Sequence, residues 1–159
     1  MRQVKDGRCP GKRIALLIVT GLILAFIFGQ SMLPQSVSAE ESGWLTDQVL
    51  NPLLDLLGFG PITNHAVRKI AHVTEFAILS ILLTFSFRGQ IVKSAGVGFA
   101  AAFLDESIQL LSGRGALISD VWIDLIGVAT GSLIGLSAYC IIRRRRNTQK
   151  NSTGTQTEA

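Results

Sequence analysis

Residues 14–33 read IALLIVTGLILAFIFGQSML and contain no charged side chain. A helix of about 20 such residues spans the hydrocarbon core of a bilayer, which is roughly 30 Å thick. Three further stretches, 70–87, 91–111 and 121–142, have a comparable length and apolar content, although each also contains at least one carboxylate. Because lipid offers no partner to backbone N–H and C=O groups, these stretches must form helices. We therefore predict an all-α polytopic membrane protein with four transmembrane helices.

The composition agrees with a membrane protein. Of the 159 residues, 48% are hydrophobic and 16% are charged, and the mean hydropathy is +0.41. Soluble domains carry about 25% charged residues, and disordered chains contain far fewer apolar residues. Cys9 and Cys140 lie near opposite ends of the chain, which excludes a disulfide scaffold. The length and composition therefore favour one integral membrane domain.

The basic residues predict the orientation of the four helices. Twelve of the 15 Lys and Arg residues lie in residues 1–13, 88–93 and 143–150, on alternate sides of the predicted spans. The link 34–69 instead carries four carboxylates. Since positively charged flanks stay in the cytoplasm, we predict that both termini are cytoplasmic and that this link lies outside. The asymmetry explains the net charge of +4 without nucleic-acid binding, which we do not expect.

The remaining segments surround a membrane domain at 14–142. Residues 1–13 form a basic N-terminal flank, and residues 143–159 form a basic tail that we predict to be disordered. In the outer link, apolar residues recur at helical spacing over 44–57, which fits either an interfacial helix or a loop packed on the helix ends. We interpret residues 14–33 as a retained helix, because the small residues that a signal peptidase prefers come well after the apolar run.

Charged and amide side chains are predicted to meet at the outer ends of three helices. The second and fourth helices begin on the outer side and the third ends there, so residues distant in sequence share one depth. That depth is roughly 5–10 Å below the outer surface, at a rise of about 1.5 Å per residue. The predicted ligand-binding or functional residues are Arg68, His72, Glu75, Asp105, Glu106, Gln109, Arg114, Asp120 and Asp124.

Helix periodicity places several of these residues on packed faces. Arg68, His72 and Glu75 share one face of the second helix. On the fourth helix, Asp124 shares a face with three small residues that we predict to pack against another helix: Gly127, Gly131 and Gly135. We therefore expect the Asp124 carboxylate to point into the bundle and not toward lipid.

The charged residues are costly in a membrane, which suggests a function. A carboxylate at the middle of a membrane helix costs about 2.5–3.5 kcal/mol on insertion scales, so four of them cost about 10–14 kcal/mol: Glu75, Asp105, Glu106 and Asp124. We infer a water-accessible, electronegative crevice open to the outside, and the alternative is a polar network that only sets helix register. One His among carboxylates at these spacings is not a zinc signature, and no cofactor motif appears, so the sequence predicts neither metal nor cofactor.

Four stretches occur in a combination and order that are more specific than each stretch alone. They are RKIAHVTEF at 68–76, DESIQ at 105–109, Arg114 with SDV at 119–121, and Asp124 with Gly127 and Gly131. In these stretches the sequence resembles the VanZ-like family of small bacterial membrane proteins, although Asp124 stands where that family often has Asn. The resemblance implies a multi-pass protein of the bacterial cytoplasmic membrane that acts at the cell envelope. It also implies a link to antibiotic resistance, since the founding member is associated with resistance to teicoplanin-type glycopeptides.

Three functions are compatible with the predicted crevice. In the leading hypothesis it binds a lipid-linked cell-wall precursor, a lipid headgroup or a lipoglycopeptide, with His72 and Arg114 supplying donors and the carboxylates supplying acceptors. The alternative is a membrane-embedded hydrolase or transferase that acts on a lipid-linked substrate, with Glu75 or Asp105 as general base. A proton- or cation-coupled carrier would need a polar relay toward the cytoplasmic side, and the sequence does not indicate one. The sequence predicts no oligomeric state.

Overall fold

The computed structural model describes residues 10–113 and 118–154, and all regular structure in these ranges is helical. In chain order the elements are α1 (Pro10–Met32), α2 (Gln35–Leu45), a π-helical turn (Thr46–Leu50), α3 (Asn51–Leu56), α4 (Asn64–Ser86), α5 (Ile91–Leu111) and α6 (Ile118–Gly154). The predicted all-α fold is therefore confirmed for the described part of the chain.

Within residues 10–113 and 118–154, two helices are long and apolar enough to cross a membrane. They are Arg13–Met32 in α1 and Ser119–Gln149 in α6. In the most apolar part of each helix, only 17% and 28% of the residues, respectively, are buried in the protein. Side chains such as Leu22 and Ile134 are more than half exposed, as expected for helices that face lipid. α4 and α5, predicted as the second and third spans, do not meet the same criterion. Charged residues such as Glu75 and Asp105 make these two helices more polar.

α4 and α6 pack closely along the glycine face of α6. A Cβ atom at Gly127 would lie 3.0 Å from Phe76 Cβ, and one at Gly131 would lie 2.7 Å from Ala77 Cα. Gly135 lies one turn further along the same contact with α4. Since a larger side chain would collide with the α4 backbone, these small residues determine how closely the two helices approach.

Apolar side chains from α1, α4, α5 and α6 form one core. Its buried members include Ile27, Phe76, Ala102 and Val128. α5 approaches α6 at Gly98, where a Cβ atom would lie 2.9 Å from Val128 Cγ1. Lipid tails are as apolar as these side chains, so close van der Waals packing stabilises the association of the helices in a membrane.

The connection between α4 and α5 is a tight antiparallel turn. Arg88 and Gly89 adopt positive φ angles of 56° and 78°, and Gly89 N donates to Thr84 O at 2.8 Å. A side chain at Gly89 would also collide with the Tyr139 ring, which lies 2.7 Å from a Cβ atom placed there. The short 88–90 connection therefore requires glycine for both its backbone conformation and its packing.

The link between α1 and α4 is helical over most of its length. α2, the π-helical turn and α3 occupy residues 35–56, which decides between the helix and the loop that the sequence left open. Asn64 Nδ2 donates to Ala39 O at 2.9 Å, and Asn51 Oδ1 accepts from Ile62 N at 2.9 Å. These bonds attach the link to the beginning of α4.

α6 continues to Gly154, well past the predicted end of the fourth span at 142. Residues 143–154, which we predicted to belong to a disordered tail, are therefore helical in the structure, and 155–159 lie outside the described residues. Arg, Lys and Gln are good helix formers, and extension of an existing helix avoids the cost of nucleation. A low apolar content was not sufficient reason to end the helix.

Candidate functional site

One imidazole and two carboxylates meet at the end of the bundle where α4 and α6 begin and α5 ends. His72 Nδ1 lies 3.7 Å from Asp124 Oδ1 and 3.9 Å from Asp105 Oδ2. Both carboxylates are buried, whereas 22% of the His72 side chain is exposed. We call His72, Asp105 and Asp124 the acid–imidazole site. Three residues that the sequence placed at one depth thus lie within ion-pair distance across three helices.

α1 supplies a hydrogen-bond donor that holds Asp105. Ser31 Oγ donates to Asp105 Oδ1 at 2.6 Å, and Gln109 Nε2 donates to Asp105 Oδ2 at 2.8 Å. The Ser112 hydroxyl lies 3.0 Å from both Ser31 O and Gln109 O, which extends the network to the end of α5. Because hydrogen bonds to a charged group contribute about 1.5–3 kcal/mol each, the two donors restrain the orientation of the Asp105 carboxylate.

Among the described residues, the Asp124 carboxylate has fewer hydrogen-bond donors than the Asp105 carboxylate. It is only 2% exposed, and its Oδ2 has no hydrogen-bond partner within residues 10–113 and 118–154. The carboxylate is within electrostatic range of four other acidic residues: Asp105, Glu106, Asp120 and Glu75. A buried carboxylate in this position is unfavourable unless a proton, water or a cation compensates it.

The other predicted residues with carboxylates surround the acid–imidazole site. Glu75 is partly buried and lies within electrostatic range of Asp105, and Glu106 is buried on α5. At the rim, Lys69 Nζ lies 3.6 Å from Asp120 Oδ1, and about a third of each side chain is exposed. Carboxyl groups are therefore concentrated around the buried site, whereas the solvated rim pairs one acid with one base.

Of the two predicted arginines, the structure describes Arg68. Arg68 is partly buried and forms no ion pair with any residue that the structure describes. Arg114 lies outside the described residues, as do its neighbours up to 117. Among the described cationic or imidazole side chains, His72 is the one that reaches both buried aspartates.

The sequence analysis missed Ser31 and Ser112. Ser31 lies near the end of the first apolar stretch, at the depth predicted for the carboxylates, so the depth argument itself could have included it. A single serine forms no pattern, however, and its hydroxyl can bond to its own helix. Ser112 follows α5 directly, and nothing in the sequence indicated its contact with α1.

A second buried polar region lies about 12 Å further along α4, at a rise of about 1.5 Å per residue. Thr84 Oγ1 donates to Ser80 O at 2.8 Å, which leaves its oxygen to accept from Ser94 Oγ at 2.8 Å. We call Ser80, Thr84 and Ser94, all fully buried, the hydroxyl cluster. Ser132 is also buried, and neither its hydroxyl nor that of Ser80 has a hydrogen-bond partner among the described residues. Buried neutral polar groups are thus found further along the helix bundle than the charged residues of the acid–imidazole site.

The acid–imidazole site can support more than one kind of chemistry. One donor atom from each of its residues lies within 4.8 Å of the others, so the three could hold a metal ion. An imidazole beside a carboxylate can also move a proton. In addition, a partly exposed donor above buried acceptors can bind a polar headgroup.

Comparison with known proteins identifies a family and a similar membrane protein. The sequence profile of the VanZ/LLP1 family matches residues 15–142. A similar protein is the uncharacterized membrane protein YwnJ of Bacillus subtilis (strain 168), which is 39% identical over 80 residues. That alignment covers 50% of this chain and 54% of YwnJ, so the chain spans about half the length of this relative. No solved structure matches the chain with a significant similarity.

Proposed function

Because the chain belongs to the VanZ/LLP1 family, we propose that it binds an envelope ligand in a polar crevice at the outer face of the bacterial cytoplasmic membrane. The crevice is formed by the acid–imidazole site and its rim. The ligand is a lipid-linked cell-wall precursor, a lipid headgroup or a lipoglycopeptide. One observation carries the proposal: His72, Asp105 and Asp124 converge from three helices although each of them is costly in a membrane.

The proposed topology has four crossings and two cytoplasmic termini. α1 and α6 face lipid with their apolar surfaces, and α4 and α5 cross beside them with their polar side chains turned inward. This arrangement places the basic segments 1–13, 88–93 and 143–150 on the cytoplasmic side. It also places the acid–imidazole site close to the outer surface.

Single-cysteine labelling tests this topology. The variant Lys12→Cys, in a background without Cys9 and Cys140, is exposed to a membrane-impermeant thiol reagent in intact cells. We expect labelling only after the cells are opened. Labelling in intact cells would show that the N-terminal segment is outside. That result would contradict both the proposed orientation and the outward-facing crevice.

The crevice has the properties that recognition of a polar headgroup requires. His72 is partly exposed and offers a hydrogen-bond donor or a positive charge, while Asp105 and Asp124 offer buried acceptors. The Ser31 hydroxyl and the Gln109 amide hold Asp105 in one orientation. A ligand with both hydroxyl or amine donors and an acid group would satisfy both parts of the site.

Susceptibility to teicoplanin tests the proposed ligand class. Expression of the protein in a susceptible bacterium should raise the minimal inhibitory concentration, and His72→Ala and Asp124→Asn should each abolish the increase at equal membrane abundance. Asp55→Asn, which changes an exposed acid of α3, is the matched control and should retain it. An increase that persists in both site variants, or no increase with the unmodified protein, would contradict the proposal.

The close approach of His72 to Asp124 also favours a second function. At 3.7 Å a carboxylate can stabilise a protonated imidazole, which is the arrangement that general acid–base catalysis uses. In this alternative the protein is a hydrolase or transferase that acts on a lipid-linked substrate, with Glu75 or Asp105 as general base. A turnover assay with purified protein and a lipid-linked wall precursor separates the two functions, because a binding protein releases its ligand unchanged.

A further inference from the structure

We propose that His72, Asp105 and Asp124 bind one divalent transition-metal ion, Zn²⁺ or Mn²⁺, through one imidazole nitrogen and two carboxylates. The inference rests on the proposed function in that it uses the same crevice, and it names the group that would hold the ligand there. The spacing of the three residues in the sequence does not reveal this site, since each comes from a different helix.

The distances between the donor atoms fit a shared ion better than direct hydrogen bonds. His72 Nδ1 lies 3.7 Å from Asp124 Oδ1 and 3.9 Å from Asp105 Oδ2. A hydrogen bond between such atoms needs about 2.7–3.2 Å. Donors arranged tetrahedrally at about 2.0–2.2 Å from Zn²⁺ are separated by about 3.3–3.6 Å. Small side-chain rotations would therefore bring the three donors around one ion.

The second oxygen of Asp124 is an independent indication of a ligand. Asp124 Oδ2 is buried and has no hydrogen-bond partner in the described ranges, while Oδ1 of the same carboxylate faces His72. A cation next to this carboxylate would satisfy the oxygen. It would also offset the repulsion between Asp105 and Asp124, which is strong because the surroundings of both have a low dielectric constant.

Asp105 has the supporting contacts that ligating carboxylates usually have. Ser31 and Gln109 donate to its two oxygens at 2.6 and 2.8 Å. Such outer hydrogen bonds orient a carboxylate toward a metal and maintain its affinity. The exposed part of His72, 22% of its side chain, provides a route by which an ion from solvent reaches the buried oxygens.

The donor set selects the class of ion. An imidazole nitrogen suits Zn²⁺ and other transition ions, and carboxylates also suit Mn²⁺. Mg²⁺ and Ca²⁺ are bound mainly by oxygen atoms, and the site contains no thiolate that would favour Cu⁺. Three protein ligands leave a further coordination position, at which an acidic oxygen of an envelope ligand would bind.

The test is a metal titration of the whole chain in detergent micelles after treatment with a chelator. We expect calorimetry to detect one equivalent of bound Zn²⁺ or Mn²⁺. Asp124→Asn and His72→Gln should each weaken the binding by more than the roughly 10–100-fold that loss of an outer-shell partner costs. Ser31→Ala should fall within that range. Asp55→Asn is the control and should bind the ion as the unmodified protein does.

Each outcome of the titration decides the proposal. The absence of saturable binding of both ions to the unmodified protein would overturn it even if no variant folds. Unchanged affinity in a helical, monodisperse Asp124→Asn or His72→Gln variant would overturn it as well. Metal binding without an effect on teicoplanin susceptibility would leave the metal site standing and contradict the envelope ligand, whereas the opposite result would contradict the metal site alone.

Discussion

The acid–imidazole site and the hydroxyl cluster are both buried and polar, and α4 and α5 contribute to both, yet they are stabilised in different ways. In the hydroxyl cluster, Thr84 bonds to the carbonyl of Ser80 on its own helix. Ser94 of α5 bonds to the Thr84 hydroxyl across the contact between α4 and α5. In the acid–imidazole site, Asp105 depends on Ser31, which is 74 positions away in the chain.

The difference follows from charge. A hydroxyl can donate to the carbonyl four residues earlier in its own helix, so it enters a membrane with its donor already satisfied. A carboxylate only accepts hydrogen bonds, and the backbone N–H groups within a helix are already bonded. A charged residue in the bundle therefore requires partners from other helices, a proton or a ligand, and this requirement makes the acid–imidazole site the better candidate for function.

The largest effect is expected where the packing that supports both regions is disturbed. Gly131 lies against Ala77, between the two polar regions, so Gly131→Val forces α4 and α6 apart. We expect the variant to lose about 3 kcal/mol or more of unfolding free energy, measured by denaturation in detergent micelles. Gly96→Val, at a glycine with open space around it, should fold normally, and equal losses in the two variants would contradict the packing argument.

Removal of the Ser31 hydroxyl tests the charged region alone. Ser31→Ala leaves a buried oxygen of Asp105 without its donor, and should lower the unfolding free energy by about 1.5–3 kcal/mol. Ser137→Ala removes an exposed hydroxyl that bonds only within its own helix and serves as the control. A loss no larger than in the control would mean that Asp105 does not depend on α1.

A smaller effect is expected in the hydroxyl cluster. Thr84→Val keeps the shape of the side chain, and Ser94 can still donate to Ser80 O, which lies 3.3 Å away. The expected loss of unfolding free energy is about 0.5–1.5 kcal/mol. If Thr84→Val proved more destabilising than Ser31→Ala in the same assay, the distinction between the two regions would not hold.

The smallest effect is expected at the solvated rim. Lys69 and Asp120 are both about a third exposed at 3.6 Å, so Lys69→Met should change the unfolding free energy by about 0–1 kcal/mol. Added salt should remove the difference from the unmodified protein, because exposed charges are screened. Lys93→Met, at an exposed lysine on α5, is the control. A large loss that persists at high salt would show that the rim pair is coupled to the buried site.

Much of the fold could be predicted from local patterns. Apolar runs predicted the long helices, and the bounds of the second and third runs leave three residues, 88–90, for the turn between α4 and α5. The helical link at 35–56 and the extension of α6 to Gly154 could not be decided in the same way. Their amphipathic or charged residues are compatible with both helix and loop. Hydrogen bonds of Asn51 and Asn64 hold the link near the beginning of α4, whereas the exposed end of α6 extends a helix that is already formed.

The sequence predicted the depth of the candidate site along the helices, but not the distances between its side chains. Because position along a membrane helix follows from the rise per residue, His72, Asp105 and Asp124 could be placed at one height. Their side-chain distances depend on how α4, α5 and α6 rotate about their axes. That rotation depends on the contact of Gly127 and Gly131 with the α4 backbone, which a GxxxG pattern suggests without naming the partner helix.

The sequence by itself determined that the protein is helical and apolar, and at which level its acids lie, because hydropathy and helical rise are properties of each segment alone. The tertiary structure decided that Asp105 is held by Ser31, that Arg68 forms no ion pair with a described residue, and that Asp124 Oδ2 is buried without a hydrogen-bond partner in the described ranges. These features depend on which helices touch and at what angle, and such contacts arise from packing between segments far apart in the chain.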